Sequence, residues 1–303
     1  MIKTLYILSS KAGKTEFDIK KKDLEKLYKN HKREKYLQIV ETSYKNHASD
    51  AALAFIKENF EDEKNIIVAG GDGSLNEIAS VIYKYDRKNT NLGLIPMGTA
   101  NDFSKVFSYD NFKLEDLLNP RAQKIDLYRA NGKIGINILS LGFDTLVLQN
   151  SYKEINNNPK LGKKAYILGV LKSLKDLDYK DLEFKLLDEN DKILEFKGEF
   201  LLTAICNGSY YGSGFNPAPK ARLDDGLLNL VYAKKLPTLL LPFLIIAYKL
   251  GRVEKIKYLE EIKIKKGYVK SDKNFLANID GEIFESREIH FEVIKNAINW
   301  LYF

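Results

Sequence analysis

Cysteine is almost missing from this chain. The lone Cys206 excludes an intramolecular disulfide framework and fits a reducing, cytoplasmic setting. Set in the apolar run FLLTAIC, it reads as a buried structural thiol rather than a nucleophile. Histidine is nearly as scarce. His31, His47 and His290 are scattered with none of the spacings that bind zinc, and no Ser/His/Asp arrangement accompanies them. Long apolar runs are lacking too: the longest, LPTLLLPFLIIAY at 236–248, contains two prolines and falls well short of the roughly 20 residues a membrane span needs. It reads as a core helix or, in part, as an interfacial lip touching lipid, since nine basic and four acidic residues stand between Lys249 and Lys273. The N-terminal MIKTLYILSS is a short strand-like run followed at once by charge, without the pattern of a signal peptide. A Walker A motif is absent as well. Gly13-Lys14-Thr15 imitates its end, but the glycine required five residues before Gly13 is Leu8.

What is present describes an ordinary globular protein, 45% hydrophobic and 29% charged. Its 303 residues exceed what one core usually holds, so two domains are expected. The net charge of +7 suits nucleotide phosphates, an anionic membrane surface or nucleic acid. Nucleic acid has the least support, because no RRM-like aromatic motif, zinc knuckle or helix-turn-helix pattern accompanies the lysines. The basic run at 20–35 is interleaved with Asp23, Glu25 and Glu34 and reads as a solvated helix face with Leu24 and Leu27 turned inward.

The densest signal is IIVAGGDGSLNE at 66–77. Ile66 to Ala69 read as a buried parallel strand. Gly70, Gly71 and Gly73 permit a tight bend with N–H groups against a ligand, leaving Asp72 at the tip. After Ser74, the spacing of Leu75, Ile78, Ala79 and Ile82 predicts a helix whose first turn carries Asn76 and Glu77 and whose N-terminus favours anions. Beside phosphates, Asp72 makes sense if a divalent metal lies between them or if it positions the ligand. The plainer alternative is a tight strand-to-helix turn. A second segment, LGLIPMGTANDF at 92–103, repeats the logic: an apolar strand, a Pro-x-Gly turn, then Thr99, Asn101 and Asp102. Ligands collect outside the carboxyl ends of parallel strands, so both segments point to one crevice.

Residues 1–128 alternate strand and helix, with strands at 2–8, 36–41, 65–69 and 92–95 and helices near 18–31, 46–59, 74–85 and 112–119. That alternation predicts a doubly wound parallel sheet in an α/β domain. From about Ile125 the texture changes to strands at 125–130, 133–140, 181–188, 192–205, 227–233, 255–265, 268–272, 275–279 and 289–294, with helices near 144–153 and 161–175. This predicts a mostly antiparallel, β-rich second domain over 129–303, whose tail at 295–303 is a candidate to return to the first. Two further segments carry acids. Asp224-Asp225-Gly226 precedes a strand and is common turn chemistry, and Asp280-Gly281-Glu282 sits where a β-hairpin would turn.

GGDGSLNE followed by PMGTANDF resembles the catalytic signature of the diacylglycerol kinase family of lipid kinases, in particular its soluble bacterial branch. The resemblance implies a catalytic fold shared with NAD kinases and phosphofructokinases, an active site in an interdomain cleft, and transfer of the γ-phosphate of ATP to a lipid hydroxyl; diacylglycerol, giving phosphatidic acid, is the favoured acceptor, and a sphingoid base, ceramide, phosphatidylglycerol or another long-chain alcohol would need the same phosphate chemistry. It places ATP-Mg²⁺ against Gly70, Gly71, Gly73, Ser74 and Thr99, with Asp72 at the metal-nucleotide end and Asn76, Glu77, Asn101 and Asp102 fixing the crevice. Ser10, Gly13 and Lys14 correspond to a nucleotide-side loop, although Ser9 and Ser10 stand where the family has Asn and Pro. Thr42 matches a nucleotide-contacting threonine; by local pattern alone it is equally an N-cap. The Ala-x-Leu-Asp-Asp-Gly segment implies a structural Mg²⁺ held by the Asp225 carboxylate and the carbonyls of Arg222 and Leu227. The Asp-Gly-Glu segment implies the acidic catalytic residue, read here as Asp280 acting as base with Glu282 as a nucleotide or metal contact; the two roles could be exchanged. Implied partners are ATP and a lipid at a membrane surface touched peripherally by a cytoplasmic protein; separately, an edge strand of the β-rich domain could pair two copies. An NAD kinase, which also uses a GGDG turn, and a non-catalytic nucleotide- or lipid-binding module of the same fold are the alternatives.

Overall fold

The structure is a computed structural model that describes residues 2–9, 19–58, 63–98, 100–161, 164–175, 177–252 and 256–303. The chain divides into two units, Met1–Ile125 with Asn296–Phe303, and Asp126–Lys295.

The first unit is a parallel α/β fold. Strands β1 (Lys3–Leu8), β2 (Leu37–Glu41), β3 (Lys64–Gly70) and β4 (Thr90–Pro96) lie in the order β2-β1-β3-β4, connected through helices α1 (Lys21–Asn30), α2 (His47–Lys57) and α3 (Asp72–Tyr85). Every residue of β3 and β4 is buried, as expected of central parallel strands covered on both faces. Helix α3 turns Leu75, Ile78, Ala79 and Ile82 inward. Lys64 is buried at the start of β3 and its ammonium donates to the carbonyls of Ile56 at 2.7 Å and Glu58 at 2.9 Å, capping the end of α2. Asn65, Asn91 and Asn299 join neighbouring strands through two side-chain amide bonds of 2.9 Å each, and Asn299 pairs with Asn91 where the chain's last strand runs parallel to β4. That amide chain favours one register, because a one-residue slip would leave buried amides unpaired.

In the second unit the strand pairings are antiparallel. Its elements are β5 (Arg121–Ala130), β6 (Lys133–Gly135), β7 (Ile138–Gly142), α4 (Phe143–Asn157), α5 (Lys164–Ser173), β8 (Lys180–Asp188), β9 (Ile193–Cys206), β10 (Leu228–Lys234), α6 (Leu241–Lys249), β11 (Leu259–Ile279) and β12 (Glu282–Tyr302). Strands run β10-β9-β7-β11-β12, with β8 pairing both β9 and β11. One core is aromatic: the rings of Phe184, Phe196, Phe200 and Tyr232 lie 5.0–6.1 Å apart. A second core, including Val147, Leu202, Val231, Leu244 and Tyr248, lies where α4 and α6 meet strands β9 and β10. Among the described residues, no helix is long and apolar enough to cross a membrane.

Several elements differ from their sequence reading. The three strands expected at 255–265, 268–272 and 275–279 are the single β11, and the one at 289–294 is the middle of the 21-residue β12. The polar run after Lys270 imitates a turn, yet pairing with β12 resumes at Phe275 past a register shift. The expected helix at 112–119 is a 3₁₀ segment, Leu114–Leu118, opened by Lys113 N–H donating to Asp116 at 2.8 Å. The strand expected at 133–140 breaks into β6 and β7, because the amides of Ile136 and Asn137 turn to a carboxylate. Replacing Lys64 by methionine should strip the α2 carbonyls of their donor and destabilise the first unit by about 1–3 kcal/mol, read as a lower denaturant midpoint.

Candidate active site

The strand ends at the carboxyl edge of the first unit's sheet are tied to one another. Thr42 N–H donates to the Leu8 carbonyl and Ser9 N–H to that of Ala69, both at 2.9 Å, while Met97 and Gly98 donate to Gly70 at 2.9 and 3.1 Å. Thr42 does not cap α2, whose N-cap is Asn46. The glycines serve close approach rather than left-handed backbone. Gly70, Gly71 and Gly73 all lie outside the positive-φ region, and a Cβ on Gly98 would stand 2.5 Å from the Cα of Gly71. Gly73 is different: a Cβ there would meet nothing within 4 Å. Its smallness is therefore not demanded by the protein's own packing, and it leaves the first turn of α3 approachable by a phosphate.

Asp72 is the first residue of α3, not a loop tip. Its Oδ2 accepts the Asp102 N–H at 2.9 Å and its Oδ1 the Phe103 N–H at 3.1 Å, so the carboxylate clamps the loop after β4. Desolvation, reinforced by the charge of Asp102, pushes its carboxyl up to about 6, against the opposing pull of the two amides. Of the two roles open to Asp72, metal contact and ordering of the loop, this arrangement supports the second, since both oxygens engage the loop. Asp102 is buried and ion-paired with Lys105. Asn101 is left-handed at φ 50° and donates to the Pro96 carbonyl at 3.2 Å. The buried Oδ1 atoms of Asn76 and Asn101 have no hydrogen-bond partner among the described residues, which suits a place where a ligand or solvent completes the bonding. Ser74 is half-buried near Gly70, and Glu77 leans toward α2, accepting from Ser49 at 3.4 Å. Ser10, Gly13, Lys14 and Thr99 lie outside the described residues.

In the second unit, Ile279 pairs with Glu282 across Asp280-Gly281, whose φ values of 46° and 100° make a left-handed hairpin turn. The Asp280 carboxylate accepts N–H groups from Ile136 at 2.7 Å, Asn137 at 3.1 Å and Ile138 at 2.7 Å. These bonds clamp the hairpin to the segment that joins β6 to β7. Glu282 points outward, its side chain 67% exposed, with Lys133 Nζ 3.1 Å away. Two further groups hold the turn: Asn278 accepts the Gly281 N–H at 2.7 Å, and Tyr152 donates to the Gly281 carbonyl at 3.0 Å.

The Asp224-Asp225-Gly226 turn is likewise held by protein groups. Asp225 accepts the Leu227 N–H at 3.1 Å through one oxygen and pairs with Lys263 at 3.2 Å through the other, while Arg222 pairs with Asp224. Fully buried Asp126 takes the Gly226 N–H at 2.6 Å. As arranged, these residues do not fit the expected Mg²⁺ site, because an ammonium already faces the one carboxylate. Among the described residues no group of three or more His, Cys, Asp or Glu is placed to hold a metal. Sequence reasoning missed Asp126, Tyr152 and Asn278. Only Asp126 left a trace, as an acid at an inward position of the strand segment KIDLY.

The comparisons with known proteins agree across both units. The "Diacylglycerol kinase catalytic domain" family model matches residues 3–130, and the "YegS C-terminal NAD kinase beta sandwich-like domain" model matches residues 137–302. A Pseudomonas aeruginosa protein named "Probable lipid kinase YegS-like" is 30% identical over 236 residues, 77% of this chain and 74% of its own length. One of the same name from Shewanella frigidimarina is 28% identical over 255 residues, 82% and 80% of the two chains. Among solved structures, two from Bacillus anthracis strain Sterne superpose with TM-scores of 0.75 and 0.69 at 21% and 18% identity, each match covering 99% of this chain and 97% of the other; the second is described as a diacylglycerol kinase. At that identity they show the fold.

The clamp has a pH signature. Asp72's carboxyl is raised in the folded state, so that state holds the proton more tightly and the group's contribution to stability falls as pH rises from about 4 to about 6. Asp72→Asn should remove that decline. The unfolding free energy of the variant relative to wild type should rise by about 3 kcal/mol across the window, measured by denaturant unfolding at several pH values.

Proposed function

Because the chain belongs to the YegS-like lipid kinase family, uniting a diacylglycerol kinase catalytic domain with a YegS C-terminal beta sandwich-like domain, we propose that it transfers the γ-phosphate of ATP to the hydroxyl of a lipid, with diacylglycerol as acceptor and phosphatidic acid as product. The observation that carries the phosphate half is the paired backbone at Gly71 and Gly98, closed by the Asp72 clamp beside the open first turn of α3. A helix N-terminus flanked by glycines presents N–H donors to phosphate without side-chain obstruction. In this reading Gly71, Gly73 and Ser74 face the phosphates, Asn76 and Asn101 complete the crevice, and Asp72 and Asp102 shape it from behind. ATP enters as its divalent-cation complex, the ion arriving with the substrate.

Phosphoryl transfer asks a protein mainly for positioning, charge stabilisation and an acceptor for the hydroxyl proton. The lipid oxygen forms its bond to the γ-phosphorus, the bond from that phosphorus to the bridging oxygen breaks, ADP leaves, and the hydroxyl proton passes to a carboxylate. We assign that acceptor to Glu282. Its carboxylate is exposed, and the hairpin that carries it is fixed by Asp280, Asn278 and Tyr152.

The two acids should separate experimentally. Glu282→Gln should lower turnover of diacylglycerol with labelled ATP by about 10²- to 10⁴-fold and leave the unfolding midpoint unchanged. Asp280→Asn should instead destabilise the fold by about 2–4 kcal/mol, since charge-assisted bonds to backbone amides weaken. Near-normal turnover in Glu282→Gln would sink the assignment of the base. Phosphorylation of NAD with no lipid accepted would sink the lipid-kinase reading.

A further inference from the structure

Helices α5 and α6 both turn large apolar side chains outward. A helix on a globular surface turns its apolar stripe inward and its polar residues to water. In α5 the inward positions are small, Ala165, Gly169 and Ser173, because the helix lies hard against α4: a Cβ on Gly169 would stand 2.2 Å from Ser151 Oγ and 2.7 Å from the Val147 carbonyl. Its large residues are displaced outward, leaving Ile167 and Leu171 57% and 55% exposed. In α6, Leu241, Leu244, Ala247 and Tyr248 fill the core, yet the opposite side is apolar as well. Phe243, Ile246 and Leu250 are 65%, 57% and 55% exposed, and Leu239, just before the helix, is 83% exposed. Such a cluster on one side of a domain needs an occupant.

The charge around it narrows the choice. Neither α5 nor α6 contains an acidic residue; Lys172 pairs with Glu154 of α4, and Lys164 and Lys249, with Arg252 just beyond, are the other charged side chains on or beside them. An apolar face set among cations matches an anionic lipid surface. Two copies placed face to face would oppose those cations, which disfavours a dimer. Between the helices opens a pocket of about 380 Å³ lined by Tyr166, Val170, Phe215, Ile245 and Lys249 among others, with the Lys249 ammonium 5.7 Å from the centre of the Phe215 ring. The pocket gives an acyl chain somewhere to go, and Lys249 stands where a negative headgroup would follow it.

We infer that the outer face of α5 and α6, Leu239, Phe243, Ile246, Leu250, Ile167 and Leu171, docks on the surface of an anionic bilayer. The inference deepens the lipid-kinase reading by naming where the protein meets the phase that holds its substrate. Vesicle co-sedimentation tests it with no kinase step. Wild type should bind vesicles containing phosphatidylglycerol more tightly than pure phosphatidylcholine, and less so at high salt. The double variant Phe243→Ser/Ile246→Ser should bind about tenfold or more weakly, having lost two apolar anchors, with an unchanged circular-dichroism spectrum and melting temperature. It should still phosphorylate a short-chain diacylglycerol dispersed below its micelle concentration at the wild-type rate. Turnover failing equally in both proteins would count against the kinase reading and leave the vesicle result standing. Vesicle binding undiminished in the variant would overturn the inference, as would wild-type self-association that the variant abolishes.

Discussion

A backbone amide removed from water needs a partner, and where this chain leaves its strands and helices the partner is repeatedly a carboxylate. Asp280 gathers the amides of Ile136, Asn137 and Ile138, Asp72 those of Asp102 and Phe103, and Asp126 that of Gly226. These bonds join residues from 30 to 144 positions apart. Each shapes a loop no regular ladder could hold. β6 and β7 part where Asp280 draws the chain aside, and the two glycine-bearing turns of the first unit meet because Asp72 holds the second against the first.

The same constraint sorts the acids chemically. Asp280 gives its carboxylate to backbone amides and so shapes a loop, whereas Glu282 faces outward beside Lys133. Asp280 and Glu282 are two residues apart and stand in these opposite environments, because the hairpin's left-handed turn sends one inward and the other out. Lys263 beside Asp225 follows the same logic in reverse, with an ammonium answering a carboxylate the resemblance had assigned to a metal.

The apolar outer sides of α5 and α6 come from a conflict the fold resolves locally. Close approach to α4 admits only Ala165, Gly169 and Ser173 on the inward side of α5, so bulk is displaced to the outside. Such exposed surface carries a cost in solubility that an ordinary surface helix avoids, and the absence of acids on both helices makes a lipid surface a consistent answer to it.

The sequence by itself determined the change from alternating helices and strands to strands alone, the four parallel strands of the first unit, the inward face of α3, and the pairing of two Gly-rich strand ends. All of these follow from local periodicity and glycine placement, which a single chain displays openly. It also marked Asp72, Asp225 and Asp280 as acids set in turns. Only the tertiary structure decided which groups each one bonds, because those donors come from segments far away in the chain. For the same reason no pattern could show that β11 continues through its polar middle, where β12 supplies the partners, or that α5 turns its small residues inward, where α4 sets the spacing.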